Sequence, residues 1–465
     1  MTKTFLQKSV GGAATIVAAL LFFWSQAAAA PVTLPHTTIW TFTLANGLRA
    51  FLVEDHQMPV VNVQVWYHVG SKDEAPGKTG FAHLFEHLMF EGTRNIGPEQ
   101  FSDYIIRSGG VDNAYTSEDA TVFWETVPSS NLPVALWLEA DRMRNLEITE
   151  QIFKNEKEVV KEERRQRFDN QPYGTVIETL YRQAFSVHPY SHTSIGSMED
   201  LDRASVADIR DFYDTYYVPE NATLLVVGDF ESPLTESQVR QYFDRLAPGG
   251  RLGKRSIPQE PPQTVKRVIK LTQDVALPAF VEGYHMPADG TPDAYPLRLA
   301  AKILSEGESS RIYRRLVYEK QIALQAQSTG NFTEDPNLFF VLAIMNPGQT
   351  PAEGEAEMEA ELECLKTQLV ADDELRKAKN QILRDFILSR QTTQSRGEEL
   401  GYAAVVLKDA ELVNTELARF LAVTREDIQR VAKQYFVPEN LTLLEVYPPR
   451  QKTGKPAPGQ VSGGK

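Results

Sequence analysis

Apolar residues recur along the chain with two different periods, which predicts a structure containing both strands and helices. Strand-like runs rich in β-branched and aromatic residues include VVNVQVWYHVG (60–70) and FFVLAIM (339–345). Between such runs lie stretches in which apolar residues are three and four positions apart, the period of a helix packed on one face. The pattern therefore predicts an α+β fold with helices packed on a sheet.

The pattern repeats once along the chain. DIRDFYDTYYVPENATLLVV (208–227) aligns without gaps with DIQRVAKQYFVPENLTLLEV (427–446) at an offset of 219, with 11 of 20 positions identical. Each copy predicts a helix that ends at the proline of V-P-E-N, followed by a buried strand. A single repeat of this length indicates a duplicated domain, not a solenoid.

Composition shifts mark the predicted domain boundaries. Residues 247–264 and 448–465 are rich in glycine, proline and charge, which is typical of a linker and of a disordered tail. We expect an N-terminal domain at 35–246, a linker at 247–264, a homologous C-terminal domain at 265–450 and a disordered tail at 451–465.

The first thirty residues predict a secretory signal peptide. Lys3 and Lys8 precede an uncharged stretch at 11–24, and the run of small residues SQAAAAP follows. Because proline disfavours cleavage directly before it, we place the signal peptide at 1–29. The alternative is an uncleaved membrane anchor, although the apolar stretch is short for a span. Export, most simply to a bacterial periplasm, is the expected localisation, without a stable membrane anchor after cleavage.

Charge and cysteine content exclude some functions. The 465 residues carry 48 Lys and Arg against 62 Asp and Glu, a net charge of −14, which argues against nucleic-acid binding. Cys364 is the one cysteine, so no internal disulfide can form. It lies in an amphipathic helical pattern and is interpreted as a small buried apolar residue.

The stretch GFAHLFEHLMFEGT (80–93) carries the candidate chemistry. Its apolar residues have a helical period, so His83 and His87, four apart, share one helical face. Two neutral imidazoles in that arrangement form half of a tetrahedral Zn²⁺ site, and Glu86 beside them could accept a proton from water. The alternative is a pair of buried structural histidines. His188 and His192, in HPYSH, are also four apart, but the intervening Pro189 favours a structured loop.

A catalytic zinc site needs a third protein ligand, and the best candidates lie in ITEQIFKNEKEVVKEERRQRF (148–168). The buried side of this predicted helix is marked by four apolar residues, Ile152, Phe153, Val159 and Val160. Glu156 and Glu163 share a face beside it, whereas Glu158 and Glu162 are expected to face solvent. Spacing alone does not choose between Glu156 and Glu163.

Together, the H-x-x-E-H motif, NEKEVVKEE and the duplication resemble the pitrilysin/insulinase family of metallopeptidases, the inverzincins, over about residues 35–450. Within that family the chain resembles the two-domain bacterial branch that is similar to processing peptidases. The resemblance implies two homologous domains facing each other as a clamshell, each a mainly antiparallel sheet with helices packed on it. It implies one Zn²⁺ per chain held by His83, His87 and Glu163, with Glu86 as the catalytic base and Glu156 orienting a histidine ligand.

The same resemblance extends to GGVDNAYTSEDATVFWETVP (109–128), which is similar to the substrate-binding N-A-x-T strand of the family. Alternation over 114–124 is typical of an edge strand, to which an extended peptide can add. Asn113 and Ala114 match the family's contacts to substrate. Without the resemblance, an ordinary hairpin strand is the alternative.

One element of the family pattern is missing. Members that act alone carry an Arg and a Tyr seven residues apart in the second domain, and Val317 and Leu324 stand at the matching positions. Two explanations compete: a homologous partner subunit supplies the pair in a heterodimer, which we favour, or the chain is a specialised peptidase on its own. The sequence thus predicts an exported zinc endopeptidase acting on peptides or unfolded segments. The alternative is a non-catalytic structural or adaptor subunit.

Overall fold

The computed structural model describes residues 35–253 and 256–449. The predicted signal peptide at 1–29 and tail at 451–465 lie outside these ranges. Within these ranges, the residues from Thr38 onward belong to one compact unit. Below, "first half" means residues 38–253 and "second half" means residues 256–449.

The first half is built on a six-stranded sheet with strand order β1-β2-β6-β3-β5-β4. Only the β2–β6 pair is parallel. The strands are β1 Trp40–Thr43, β2 Arg49–Glu54, β3 Val60–Tyr67, β4 Val111–Thr116, β5 Thr121–Pro128 and β6 Ala222–Gly228. The helices are α1 Phe81–Leu88, α2 Gln100–Arg107, α3 Leu132–Asn145, α4 Glu150–Arg164, α5 Val176–Ala184, α6 Met198–Arg203, α7 Val206–Tyr216 and α8 Ser232–Phe243.

The second half repeats this arrangement with a five-stranded sheet of order β7-β11-β8-β10-β9. Its one parallel pair, β7–β11, occupies the place of β2–β6. The strands are β7 Arg267–Thr272, β8 Ala279–Met286, β9 Ala323–Gly330, β10 Asn337–Met345 and β11 Leu441–Tyr447. The helices are α9 Ala294–Ser305, α10 Pro351–Thr367, α11 Asp372–Leu388, α12 Thr393–Val405, α13 Leu412–Ala422 and α14 Arg425–Tyr435.

The two V-P-E-N segments confirm the repeat at the level of single hydrogen bonds. In the first half the Asn221 side chain donates to Tyr216 O (2.9 Å) and His68 O (3.3 Å). In the second half Asn440 donates to Tyr435 O (2.9 Å) and His285 O (2.8 Å).

The two sheets and the helices packed on them confirm the predicted fold class, α+β with two mainly antiparallel sheets. The exact domain boundaries remain a prediction.

Each half places one helix on the sheet of the other half. Helix α12 of the second half packs on the first sheet, where Leu400 and Ala403 contact a cluster that includes Trp66. At the matching position of the repeat, α5 of the first half packs on the second sheet through Leu180 and Tyr181. The apolar faces of the two sheets are thus buried partly by exchange between the halves.

Three local expectations from sequence need correction or refinement. Val159 was expected on the buried side of α4, but it is exposed, while Val160 next to it is fully buried. The stretch 114–124 is not one edge strand: β4 ends at Thr116, a turn follows, and β5 is paired on both sides. Cys364 lies in α10 and is only partly buried.

Candidate metal and catalytic site

Helix α1 holds the H-x-x-E-H motif, and a buried carboxylate fixes where the helix begins. Gly80 precedes the helix with a φ of +92°, and a Cβ there would lie 2.8 Å from Ile195 O. Glu74, which is buried, accepts the Gly80 N–H at 2.9 Å and the Ala82 N–H at 2.8 Å. These bonds satisfy N–H groups that the first helical turn leaves free.

Helix α4 brings the acidic residues to the same place. Thr149 caps its first turn by accepting the Ile152 N–H at 3.1 Å. Phe153 and Val160 are buried and turn the neighbouring face of the helix, with Glu156 and Glu163, towards α1. Glu158 and Glu162 are more than half exposed, as expected from the sequence.

His83, His87 and Glu163 form a cluster whose ligand atoms all lie within 4.8 Å of one another. Glu163 Oε2 is 3.3 Å from His87 Nε2 and 3.7 Å from His83 Nε2. Four ligands about 2.1 Å from a zinc ion at tetrahedral angles would lie about 3.4 Å apart. The donor set and these separations therefore fit a zinc ion.

Glu156 and Glu163, left open by spacing, occupy different positions. Glu156 Oε2 lies 3.5 Å from Nδ1 of His87, the ring nitrogen that points away from the cluster. This is the arrangement in which a carboxylate orients a histidine ligand. His83 Nδ1 is buried and has no hydrogen-bond partner among the described residues.

The electrostatics of the cluster differ from residue to residue. Burial lowers the pKa of the His83 imidazole, and the neighbouring His87 lowers it further. Burial also acts to lower the pKa of His87, but the carboxylates of Glu156 and Glu163 outweigh it and raise this pKa to about 9. Hydrogen bonding to His87 lowers the pKa of Glu163. The lowered pKa values of His83 and Glu163 favour the neutral imidazole and the ionised carboxylate that bind a cation, whereas His87 would release a proton on binding one.

Glu86 lies on α1 and is held by the end of strand β4. Thr116 Oγ1 donates a hydrogen bond of 2.7 Å to Glu86 Oε2. Burial raises the pKa of the Glu86 carboxyl, as suits a group that takes up and returns a proton.

Strand β4 is an edge strand that leads directly to the cluster. It pairs with β5 only, and its last residue is Thr116. The Ser117 N–H donates to Ala120 O and therefore points towards β5. Because N–H groups alternate in direction along a strand, those of residues 113 and 115 also point towards β5, whereas that of Ala114 points towards the open edge. Consistently, the Ala114 N–H donates to Asn113 Oδ1 at 2.9 Å and not to β5.

Sequence reasoning missed two contacts of the cluster. Thr116 is the threonine of N-A-x-T, yet only Asn113 and Ala114 were singled out there. Arg167 Nη1 lies 2.7 Å from Glu163 Oε1, and its i,i+4 spacing from Glu163 was a readable signal. His188 and His192 join no metal-binding cluster in the described part of the chain, and Pro189–Ser191 forms a tight turn between them.

Val317 and Leu324 lie on the second half. Val317 is in a π-helical segment, Tyr313–Glu319, and Leu324 is exposed on the edge strand β9.

Residues 35–253 and 256–449 contain no helix both long and apolar enough to cross a membrane.

Comparison with known families and proteins shows which family the chain belongs to. Residues 49–197, which contain every cluster residue, match the family described as Insulinase (Peptidase family M16). Residues 203–382 match the Peptidase M16 inactive domain. The zinc protease PqqE of Helicobacter pylori is 34% identical over 414 residues, covering 87% of this chain and 92% of that protein. The chain belongs to peptidase family M16.

Solved structures of M16-like proteins have the same fold. A protease from Helicobacter pylori superposes with a TM-score of 0.84 at 34% identity, covering 89% of this chain and all of that one. The periplasmic protease PqqL from Escherichia coli superposes with a TM-score of 0.74 at 17% identity, and the match spans 90% of this chain but 48% of that one. Membership of M16 and similarity to a protein named as a zinc protease support a peptidase function.

Proposed function

We propose that this chain is an exported zinc-dependent endopeptidase that hydrolyses extended peptides or unfolded polypeptide segments. The observation that carries the proposal is the convergence of His83, His87 and Glu163 within 4.8 Å, with Glu86 beside them on the same helix as the two histidines. In this proposal the domains are those expected from sequence, with the metal in the domain at 35–246 and none in the domain at 265–450.

In this proposal His83 Nε2, His87 Nε2 and Glu163 Oε2 hold Zn²⁺, and Glu156 orients the His87 ring. The zinc ion, when bound, supplies Lewis acidity that makes a water molecule more acidic and polarises a peptide carbonyl. Arg167 holds the other oxygen of Glu163 and so leaves Oε2 directed into the cluster.

Glu86 moves the protons. Thr116 holds Glu86 through Oε2, and in this proposal Oε1 takes the proton from the attacking water. After the carbonyl carbon is attacked, the Glu86 carboxyl returns the proton to the leaving amine, and the peptide bond breaks. The raised pKa of Glu86 favours the first of these steps, because a more basic carboxylate takes up the proton more readily.

The substrate adds to the open edge of β4 as an extended strand. The Ala114 N–H points to that edge, and it donates to Asn113 Oδ1 when no peptide is present. Main-chain pairing of this kind requires an extended segment and reads few side chains, which favours unfolded polypeptides over folded ones.

A homologous partner subunit that carries the Arg/Tyr pair completes the proposed enzyme. Val317 and Leu324 have no side-chain donor for a developing oxyanion, and the loss of one such donor costs roughly 10²–10³ in rate. The match spans 48% of PqqL, so that protease has room for a second unit of this size beside the matched one, which supports a partner for the present chain. PqqL is named a periplasmic protease, and this name, together with the predicted signal peptide, supports a periplasmic location for the present chain.

The experiment is cleavage of a quenched peptide library by the purified chain, beside Glu86→Gln and a control, Glu162→Gln, from the exposed side of α4. Because the Arg/Tyr pair is missing from the purified chain, wild type and Glu162→Gln should cleave slowly, and Glu86→Gln should lose at least about a further 10²-fold in rate while retaining zinc. Zinc without cleavage in all three would point to the missing Arg/Tyr partner. No zinc in any would favour a structural or adaptor subunit instead.

A further inference from the structure

The turns of two equivalent hairpins, one in each half, meet face to face. The β4–β5 turn (117–120) directly follows Thr116, and the β9–β10 turn (331–336) holds the same place in the second sheet. Asn331 donates to Glu118 Oε1 at 2.9 Å, and the Glu334 N–H donates to Asp119 Oδ2 at 2.8 Å. The second half therefore contacts the hairpin that carries the proposed substrate strand.

A buried lysine joins the two turns. The Nζ of Lys72 lies 2.8 Å from Asp119 Oδ1, 2.7 Å from Glu334 Oε2 and 3.0 Å from Asp335 Oδ2, and its side chain is 2% exposed. One carboxylate comes from the first half and two come from the second. Removal of Lys72 takes the cation away from the buried Asp119, whereas Glu334 keeps its contacts to His68 (2.7 Å) and Lys408 (2.6 Å). Since a buried charge that loses its partner is strongly destabilising, the lysine holds the β4–β5 turn in place.

The main chain around Lys72 forms hydrogen bonds with the same turn. The N–H groups of Ser71 and Lys72 donate to the carbonyls of Ser117 and Glu118, each at 3.1 Å. Tyr190 adds a hydrogen bond of 2.6 Å from its hydroxyl to Asp119 Oδ1. The turn is thus fixed from both sides, and Thr116 is the residue next to it.

We propose that the second half positions the catalytic base: Lys72, through Glu334 and Asp335, fixes the β4–β5 turn, and thereby Thr116, which orients Glu86. Lys72 and Thr116 are positioning residues in this scheme, since neither touches the substrate carbonyl or the water. The proposal rests on the proposed function for the role of Glu86, but the mechanical link between the halves does not.

Thr116 is tested by two substitutions. Thr116→Val has nearly the same shape but no donor, and it should lower kcat about 10-fold with little change in KM or zinc content. Thr116→Ser keeps the hydroxyl and should restore most of kcat. If the serine variant is as slow as the valine variant, the hydroxyl does not orient Glu86.

Lys72 is tested by its coupling to Thr116. Lys72→Met alone should lower kcat, but in the Thr116→Val background it should add less than about a two-fold further loss, because its effect passes through the same hydroxyl. If the loss of kcat in the double variant equals the product of the losses in the two single variants, Lys72 acts by another route and the proposal is overturned.

Hydrogen exchange supplies a readout that needs neither metal nor activity. In the metal-free chain, Lys72→Met should speed amide exchange in the peptide spanning 111–120 at least about five-fold, because the turn loses the ion pair between Lys72 and Asp119 while its main-chain hydrogen bonds remain. The control is Lys408→Met: Lys408 is 64% exposed and pairs with Glu334 Oε1 at 2.6 Å, without reaching the first half in the described residues. Lys408→Met should leave this exchange unchanged.

The outcomes separate the two claims. If Lys72→Met does not fold, Glu334→Gln, which removes one charge with little change of shape, replaces it in the kcat and the hydrogen-exchange measurements. Unchanged exchange at 111–120 in a folded variant would overturn the inference, whatever the enzyme does. Faster exchange in a chain whose wild type neither binds zinc nor cleaves peptides would support the link between the halves and count against the proposed function.

Discussion

At the scale of single residues, the site depends on which oxygen and nitrogen atoms face each other. Both histidine Nε2 atoms point to Glu163 Oε2, while Glu156 stands behind His87. Spacing could place Glu156 and Glu163 on one helical face, but not decide between them, because the choice depends on how α4 lies against α1. The resemblance chose Glu163 as ligand, and the geometry favours the same choice.

Glu156→Gln tests whether the carboxylate behind His87 matters to the metal. Loss of a carboxylate that orients a histidine ligand typically weakens metal binding by about 10–100-fold. We expect that loss here, measured by zinc competition with a chelator of known affinity. Glu158→Gln, from the exposed side of α4, should bind zinc as the wild type does. Equal affinity in both variants would show that Glu156 does not orient the ligand.

At the scale of elements, periodicity predicted α1, α4 and the repeat well, because their apolar residues follow one period over several turns. Periodicity failed at a turn inside an alternating run and at an apolar residue on the exposed side of a helix. The run 114–124 alternates across a turn that the S-E-D-A segment makes, so one predicted strand is two. Val159 is apolar but exposed, since α4 buries Phe153 and Val160 on a narrower stripe than the four apolar residues suggest.

Ala114→Pro tests the open edge of β4. Proline is tolerated on an edge strand where its missing N–H faces outwards, so the unfolding midpoint should change little. A peptide that pairs with this edge loses a main-chain hydrogen bond, so KM should rise about 5- to 10-fold. The matched variant is Tyr115→Pro, whose N–H faces β5 and whose loss should destabilise the fold. Unchanged KM in Ala114→Pro would place the substrate elsewhere.

At the scale of the whole molecule, the two halves are bound together by exchanged helices and by the charged junction around Lys72. None of this was predictable from the sequence. The repeat could be read from an ungapped alignment, but helix exchange depends on which sheet a helix reaches after a long connection. Similarly, Lys72 and Glu334 are far apart in sequence, and no local pattern relates them.

Gly401→Ala tests the exchange of α12. A Cβ at Gly401 would collide with the Trp66 indole of the first sheet, and that ring is held by a 2.8 Å hydrogen bond to Gln64. We expect the free energy of unfolding to fall by about 1–3 kcal/mol. Chemical denaturation should show the whole molecule unfolding in one transition. The control is Gly253→Ala, where the added Cβ would meet no heavy atom of the described residues within 4 Å beyond its own chain neighbours, and it should be neutral.

The proposed mechanism depends on three residues holding one zinc ion, and zinc content per chain after gel filtration tests this most directly. Wild type and Glu162→Gln should each contain one zinc, while Glu163→Gln should contain less than about a tenth of that. Full zinc occupancy in a folded Glu163→Gln, or no zinc in a folded wild type supplied with the metal, would contradict the account.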